Sequence, residues 1–505
     1  MGYRAKVPKD LERTLHAVAR ADKEAPAVSA RGVVCGALLL VTLLTGCFAK
    51  VTDLPTLAAA PAFEPIPEAD PDLLVGLAIS GGGSRAATFA AGVLEALART
   101  PVNHAGGQRS VLDMVQYISS VSGGSLATGY YAALKPPRSE PMLTAGRLSP
   151  VYESFFKDYK AAMQEDFELP AAARQLLLFR AFNPTKLAYS LADVWDERFL
   201  GGMTFADLHA REKRGDSPRI ILNGTSYNSG QRFAFTTLPA ADFKYEFVDT
   251  LLEELEGRAR ATPSARQGTA IIRQNLEAAK SQFLPLTFED IRADHRDLKL
   301  SLGVVSSASF PPVVGPVTYS VGGRAPYQHV GDGGLFDNLG TESLTTLFLK
   351  KIPRGSSKRG LIIVIDAAFP FNANKRVLDG GRKGFQVFRR DPGRIVGIME
   401  QRANAYQLML WDALRTQDVV LPDFGHLRIE VLGHTQVDWG GFAELPAECR
   451  DKFPADVKAE VIKQEVSGVP TLFRMTPCHG ALMIKTAQKA VEKHRARIVE
   501  FLERR

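Results

Sequence analysis

The sequence predicts a three-layer α/β/α fold, with a mostly parallel central sheet covered by helices on both faces and carrying helical insertions. Three observations predict it. Leu73 to Ile79 is a continuous apolar run that ends in Ser80-Gly81-Gly82-Gly83-Ser84-Arg85, after which apolar residues recur at helical spacing from Ala86 to Ala98. Met114 to Ser119, Val121-Ser122-Gly123-Gly124 and the helix-like run Ser125 to Leu134 repeat that strand, glycine turn and helix. Further strand candidates follow at Arg219–Leu222, Phe233–Thr237 and Leu361–Ile365. A strand with no polar alternation is covered on both sides, and strands alternating with helices imply parallel neighbours.

The elements fall in order along 505 residues, enough for two or three domain-sized pieces. Val33 to Leu44 is a twelve-residue, largely apolar stretch after Arg31. As a helix it rises about 18 Å, short of the roughly 30 Å hydrocarbon core, so it suits the apolar region of an export signal. Residues 50–72 hold Pro55, Pro61, Pro65, Pro67 and Pro71 among alanines and acids, which predicts an extended tether. The core domain then runs over 73–346. Helical insertions are expected at about 150–215, where Leu, Phe and Ala are spaced, and about 246–300, where Leu251, Leu252 and Leu255 sit among charges. An α/β extension over 347–505 closes the chain. Its tail, Ile484 to Arg505, reads as a basic amphipathic helix packed on the domain, with membrane contact the lesser reading.

Composition excludes more than it assigns. With 45% hydrophobic and 23% charged residues the chain is an ordinary globular protein. A net charge of +7 is too small over this length to argue for nucleic acid. The cysteines are Cys35 and Cys47 near the start and Cys449 and Cys478 near the end, at no spacing that suits zinc. Cys449 and Cys478 are either two buried thiols or a disulfide, and export to an oxidising compartment tips the reading to the disulfide.

Leu44-Thr45-Gly46-Cys47 directly follows the apolar stretch. It resembles the lipobox of bacterial lipoproteins. By that resemblance residues 1–46 are a signal peptide, and Cys47 is the lipidated first residue of a mature protein whose tether spans 47–72. Two or three acyl chains hold a protein firmly where one does not. Phe48 after the cysteine implies, by the same resemblance, the outer membrane or periplasm rather than the inner membrane.

Three motifs carry chemistry. Ser122 follows an apolar strand in Ser120-Val121-Ser122-Gly123-Gly124, the place where a sharp strand-to-helix turn projects a hydroxyl nucleophile. Gly81-Gly82-Gly83 brings backbone N–H groups together at a helix N-terminus. No Gly-Lys-Ser follows, so the phosphate-loop reading yields to an oxyanion hole. Asp332 stands between glycines in His329-Val330-Gly331-Asp332-Gly333-Gly334-Leu335-Phe336-Asp337-Asn338, free to approach a partner closely. Asp337 reads as a turn or cap residue. His329 is the rival to a serine–aspartate pair, since a triad needs a histidine.

Together these motifs resemble the patatin-like phospholipase family, whose pattern is a Gly-Gly-Gly-x-Arg turn, a Gly-x-Ser-x-Gly elbow and an Asp-Gly-Gly/Ala acid. Phe199 to Leu208 and Ser306 to Pro312 are similar to two further family stretches. The likeness covers roughly 73–346 and implies that Ser122 attacks the ester while Asp332 takes its proton. It implies that Gly82 and Gly83, with Gly81 as a third donor, hold the oxyanion and that Arg85 steadies the turn. Read alone, Arg85 is equally an exposed cation on the first helical turn. The family works without histidine, metal or cofactor, on phospholipids and related acyl esters. Ser120 stands where the family has glycine. A short-chain esterase or acyltransferase would use the same residues. From another class, a catalytically weak lipid-binding or scaffold lipoprotein remains open: Ser120 speaks for it, the intact serine, acid and glycine turn against it.

Overall fold

The computed structural model describes residues 50–177, 184–244, 284–311, 313–352, 356–368, 405 and 427–504. The expected signal segment, Cys35 and Cys47 lie outside them. So does most of the charge-rich stretch 246–300.

The strands are β1 Val51–Leu54, β2 Leu73–Ile79, β3 Pro101–His104, β4 Gly107–Ser110, β5 Tyr117–Val121, β6 Leu143–Thr144, β7 Arg147–Leu148, β8 Arg219–Ser226, β9 Arg232–Thr236, β10 Val317–Val321, β11 Arg324–Asp332, β12 Arg359–Asp366 and β13 Leu427–Gly433. The helices are α1 Gly83–Ala98, α2 Gly123–Leu134, α3 Pro150–Ala162, α4 Glu168–Leu177, α5 Pro184–Trp195, α6 Phe205–Arg214, α7 Leu300–Ser307, α8 Gly334–Asp337, α9 Thr341–Lys351, α10 Ala459–Gly468 and α11 Pro477–Glu503.

Nine strands form one mixed sheet in the order β1-β10-β11-β8-β5-β2-β12-β13, with β9 on the other side of β8. Its centre, β8-β5-β2-β12-β13, is parallel throughout. Antiparallel pairs join β10 to β11 and β11 and β9 to β8. The unbroken apolar run of β2 has a plain cause. Val75, Leu77 and Ile79 enter the large core on the α1 side, while Leu74 and Ala78 enter a second core with Leu344, Leu347 and Phe348 of α9. Both faces are dry, so neither can be polar.

The helices expected from 150 to 215 are α3 to α6. The family-like Phe199–Leu208 stretch is a glycine turn leading into α6, whose N-terminus is closed by a reciprocal capping box between Thr204 and Asp207. The tail helix α11 packs on α1. Its Leu482, Met483, Ala487, Val491 and Ile498 are buried, and Gly92 of α1 lies so close that an added Cβ would stand 2.7 Å from the Cβ of Ala487. Among the described residues no helix is long and apolar enough to cross a membrane.

Two expectations need correction. The stretch 47–72 is not a free tether over its described part. β1 pairs in parallel with β10 at the sheet edge, Leu54, Leu57 and Phe63 are buried, and Glu68 pairs with Arg219 and Lys351. The apolar side chains spaced between the prolines are buried in the core, and Glu68 finds two cations. Residues 284–299, expected within a helical insertion, form turns and isolated bridges that bury Phe288, His295 and Leu298. The C-terminal extension, for its part, completes the sheet: β12 lies between β2 and β13.

Candidate active site

The site is placed by β8. Along one side β8 pairs with β9, from Ile221 to Thr225. Along the other it pairs first with β5, ending at Val121 opposite Asn223, and then with β11, ending at Asp332 opposite Gly224. The two strands run at each other and stop one residue apart on the same template. Ser122 and Asp332 are therefore brought together by strand pairing, across 210 positions of sequence.

Ser122 sits between β5 and α2 with φ 53° and ψ −122°, a region other residues than glycine rarely hold. That turn lifts its side chain out of the strand. Its backbone is fixed from below: the Ser122 N–H donates to the Ser307 carbonyl at 3.1 Å and also to the Ser307 hydroxyl at 3.1 Å. The same Ser307 carbonyl accepts the Gly333 N–H at 3.3 Å. One carbonyl thus holds the Ser122 turn and the Asp332 turn together. Ser120, the departure from the usual glycine, is an ordinary strand residue with no positive φ, and its hydroxyl pairs with that of Ser125 at 3.1 Å. A serine fits there because a buried polar network receives its hydroxyl. Asn223 extends this network, donating to the Ser119 hydroxyl and the Ser120 carbonyl.

Asp332 is only 1% exposed. Its Oδ1 accepts the Gly334 N–H at 2.8 Å, and its carbonyl accepts the Thr225 hydroxyl. Burial pushes the carboxyl up to about 7, against the Gly334 N–H and the neighbouring Ser122 hydroxyl, which hold it down. Among the described residues Oδ2 has no hydrogen bond of good geometry, so the contact with the Ser122 hydroxyl is loose; such contacts often tighten only once substrate binds. A carboxyl near 7 is basic enough to accept a proton from a hydroxyl. Burial, together with the nearby Asp332, also pushes the Tyr227 phenol up to about 12.

The glycine turn lies against this pair. Gly82 (φ 140°) and Gly83 (φ 59°) adopt left-handed backbone that leads into α1. Gly123 of the elbow is pressed on Gly83 so closely that a Cβ would overlap the Gly83 carbonyl, and a Cβ on Gly81 would stand 3.3 Å from that of Ser122. Gly123 must be glycine for the two turns to meet, and at Gly81 a Cβ would also overlap the Asn338 side chain. The N–H groups of Gly82 and Gly83 have no acceptor among the described residues. Gly81 differs from the expected third donor: its N–H is donated to the Asn338 carbonyl at 2.9 Å.

Arg85 is not the exposed cation of the alternative reading but fully buried. Its Nε donates to the Ala367 carbonyl at 2.8 Å and its Nη1 to the Val469 carbonyl at 2.7 Å, tying the turn to the end of β12 and to the segment before α11. Burial raises the nearby Asp366 carboxyl while Arg85 holds it down. Burial first, then Arg85, pushes His434 down to about 3, so it is neutral; its Nδ1 faces the Asp366 carbonyl.

His329 is no triad member. Its Nδ1 pairs with the Thr318 hydroxyl across the β10–β11 ladder. Among the described residues no histidine hydrogen-bonds Ser122 or Asp332. Asp337 caps α9, accepting the N–H groups of Leu339, Gly340 and Glu342. Cys449 and Cys478 are joined by a disulfide, with an S–S distance of 2.08 Å. Among the described residues no acid, histidine and cysteine cluster could hold a metal ion. Reading the sequence missed Ser307, Asn223 and Asn338 as supports of the site. Ser307 and Asn338 stood inside recognised stretches; Asn223 had no local signal.

An elbow serine, a glycine turn at a helix start and a buried acid, gathered at one end of parallel strands, define an α/β protein of ester-hydrolase design. A family model for Patatin-like phospholipase matches residues 77–345, more than half of the chain. The chain belongs to that family, a family of carboxylic ester hydrolases. Among solved structures it is similar to human GIVD cytosolic phospholipase A2, at 11% identity and a TM-score of 0.45, covering 86% of this chain and 60% of that one. A structure of that enzyme with methyl gamma-linolenyl fluorophosphonate gives 13% identity and 0.42, over 86% and 60%. VipD from Legionella pneumophila gives 10% identity and 0.28, over 90% and 72%. The chain thus spans about 60% of the human enzyme's length. No curated protein sequence matches it.

Proposed function

We propose that this protein is a serine acyl hydrolase, a phospholipase A or related lipid hydrolase, that works through a Ser122–Asp332 dyad and is anchored to a bacterial envelope membrane by lipid on Cys47. The observation that carries the catalytic reading is the head-to-head meeting of β5 and β11 on β8, which sets a strained serine beside a buried carboxyl next to two N–H groups that have no acceptor among the described residues. The Ser122 oxygen attacks the ester carbonyl as its proton passes to Asp332 Oδ2. The developing oxyanion takes the Gly82 and Gly83 N–H groups, each such donor being worth about 3–4 kcal/mol in the transition state. The alcohol leaves with the proton from Asp332, and water, deprotonated by the same carboxylate, releases the fatty acid from Ser122.

The anchoring reading rests on Leu44-Thr45-Gly46-Cys47 after a twelve-residue apolar stretch. Outer-membrane or periplasmic placement rests on Phe48.

A fluorophosphonate probe and product analysis on phospholipid vesicles test the chemistry. Wild type labels and releases fatty acid, Ser122→Ala does neither, and Asp332→Asn loses at least about a hundredfold in rate. A folded wild type that never labels leaves a lipid-binding scaffold as the better reading. Release from a soluble short ester but not from vesicles favours the short-chain esterase, and acyl transfer to an added alcohol favours the acyltransferase. Mass spectrometry of the mature N-terminus, with Cys47→Ser as control, decides the anchor.

A further inference from the structure

We propose that the segment Val469–Phe473, between α10 and α11, is a positioning part of the active site: its backbone grips the glycine turn and leaves the Gly82 and Gly83 N–H groups aimed at substrate. The inference rests on the reading of those two groups as the oxyanion hole, and it concerns residues far outside the family segment 77–345.

Three contacts define the grip. The Leu472 carbonyl accepts the Ser84 N–H at 2.7 Å. The same carbonyl oxygen lies 2.5 Å from where a Cβ on Gly83 would stand, so it closes the outer side of the turn. The Val469 carbonyl accepts Arg85 Nη1 at 2.7 Å, and the guanidinium in turn lies 2.8 Å from the Cβ position of Gly82. The first N–H groups of a helix have no partner within it. Here the Ser84 N–H is answered by Leu472, and the Gly81 N–H by Asn338. The segment therefore selects which amides of the turn stay available and fixes the plane in which they point.

The segment is itself held on two sides. The Phe473 N–H donates to Glu168 Oε1 at 3.0 Å, its carbonyl accepts the Phe167 N–H at 2.9 Å, and its ring meets Trp195 edge-on at 5.5 Å. Five residues on, Cys478 is bonded to Cys449. Loosening either hold lets the Leu472 carbonyl drift, and with it the donors. Displacement of a reacting group by about 1 Å from a remote change costs on the order of a hundredfold in rate.

The test uses the full chain in detergent with a soluble short-chain ester and the fluorophosphonate probe. Phe473→Ala and Glu168→Ala, which removes the acceptor of the Phe473 N–H, with Cys449→Ser/Cys478→Ser as a third variant, are compared for kcat and KM separately. The expected result is a fall in kcat of about 10- to 100-fold for Phe473→Ala, with smaller falls for the others. KM stays within about twofold, because the donors act on the transition state and not on substrate binding. Phe473→Tyr restores kcat. Glu168 is partly exposed, so its variant keeps the comparison readable should Phe473→Ala fail to fold. Folded variants with wild-type kcat and labelling rate overturn the inference, as does a loss confined to KM. A wild type that neither cleaves the ester nor takes the probe overturns the reading of the site, and this inference with it.

Discussion

At the scale of the residue, Ser122 and Asp332 both hold states that folding alone would not choose. A backbone at φ 53° and ψ −122° costs a non-glycine residue about 1–3 kcal/mol. Ser122→Gly should therefore melt higher than wild type, and higher than Ser122→Ala, which keeps the strain; neither variant takes the probe. Asp332 gives a pH signature. Its folded pKa, about 7, lies above the roughly 3.9 of an unfolded aspartate. Between those values the native state binds a proton that the unfolded chain has released. Stability contributed by this group falls as pH rises from about 4 to about 7, by at most about 1.4 kcal/mol per unit. On the proposed mechanism activity moves the other way, because Asp332 acts as base only when ionised. In a pH series, kcat of wild type should climb through about 7, and Asp332→Asn should be inactive yet melt higher than wild type at pH 8.

The elbow around Ser122, the glycine turn and the Asp332-Gly333-Gly334 stretch were legible in the sequence because each is a short pattern of distinctive residue types. The failure at Gly81 has a different character. Three consecutive glycines look alike in sequence, and only the position of Asn338 shows which N–H is already taken. Arg85 was ambiguous for the same reason: nothing local indicates that carbonyls at Ala367 and Val469 close around it.

At the scale of the element, strands buried on both faces were the easiest to find, and the stretch before them the hardest. Prolines and alanines suggested a tether, yet Phe63 packs its ring against His209 and His295. Buried to 6% exposure, it should contribute like any core aromatic. Phe63→Ala is expected to lower unfolding free energy by about 3–5 kcal/mol, read from denaturant titration. A change of less than about 0.5 kcal/mol would mean that this stretch is the loose tether after all. Composition misled here because the few apolar side chains that decide docking are outnumbered by the residues that merely connect them.

At the scale of the whole molecule, the recognisable motifs end well before the fold does. The motifs stop near residue 346, but β12 pairs with the whole of β2, and α11 covers α1. Removing 347–505 would open a central strand edge and strip the helical layer behind the glycine turn. A fragment of residues 47–346 should accordingly be insoluble or lack a cooperative thermal transition, as circular dichroism would show. The sequence between could not reveal this, since a buried strand such as Leu361–Ile365 looks the same whether it begins a new domain or completes an old one.

The meeting of β5 and β11 on β8 has a consequence for how this chain can change over time. Side chains alternate across a sheet with a period of two. One residue added to β11 ahead of Asp332 would swing the carboxyl to the opposite face of the sheet, however well the rest of the chain folded. Length changes in the surface connections leave the register untouched. The chemistry is thus tolerant of growth in the surface connections but not within a few ladder rungs, where a single slipped rung is enough to silence it.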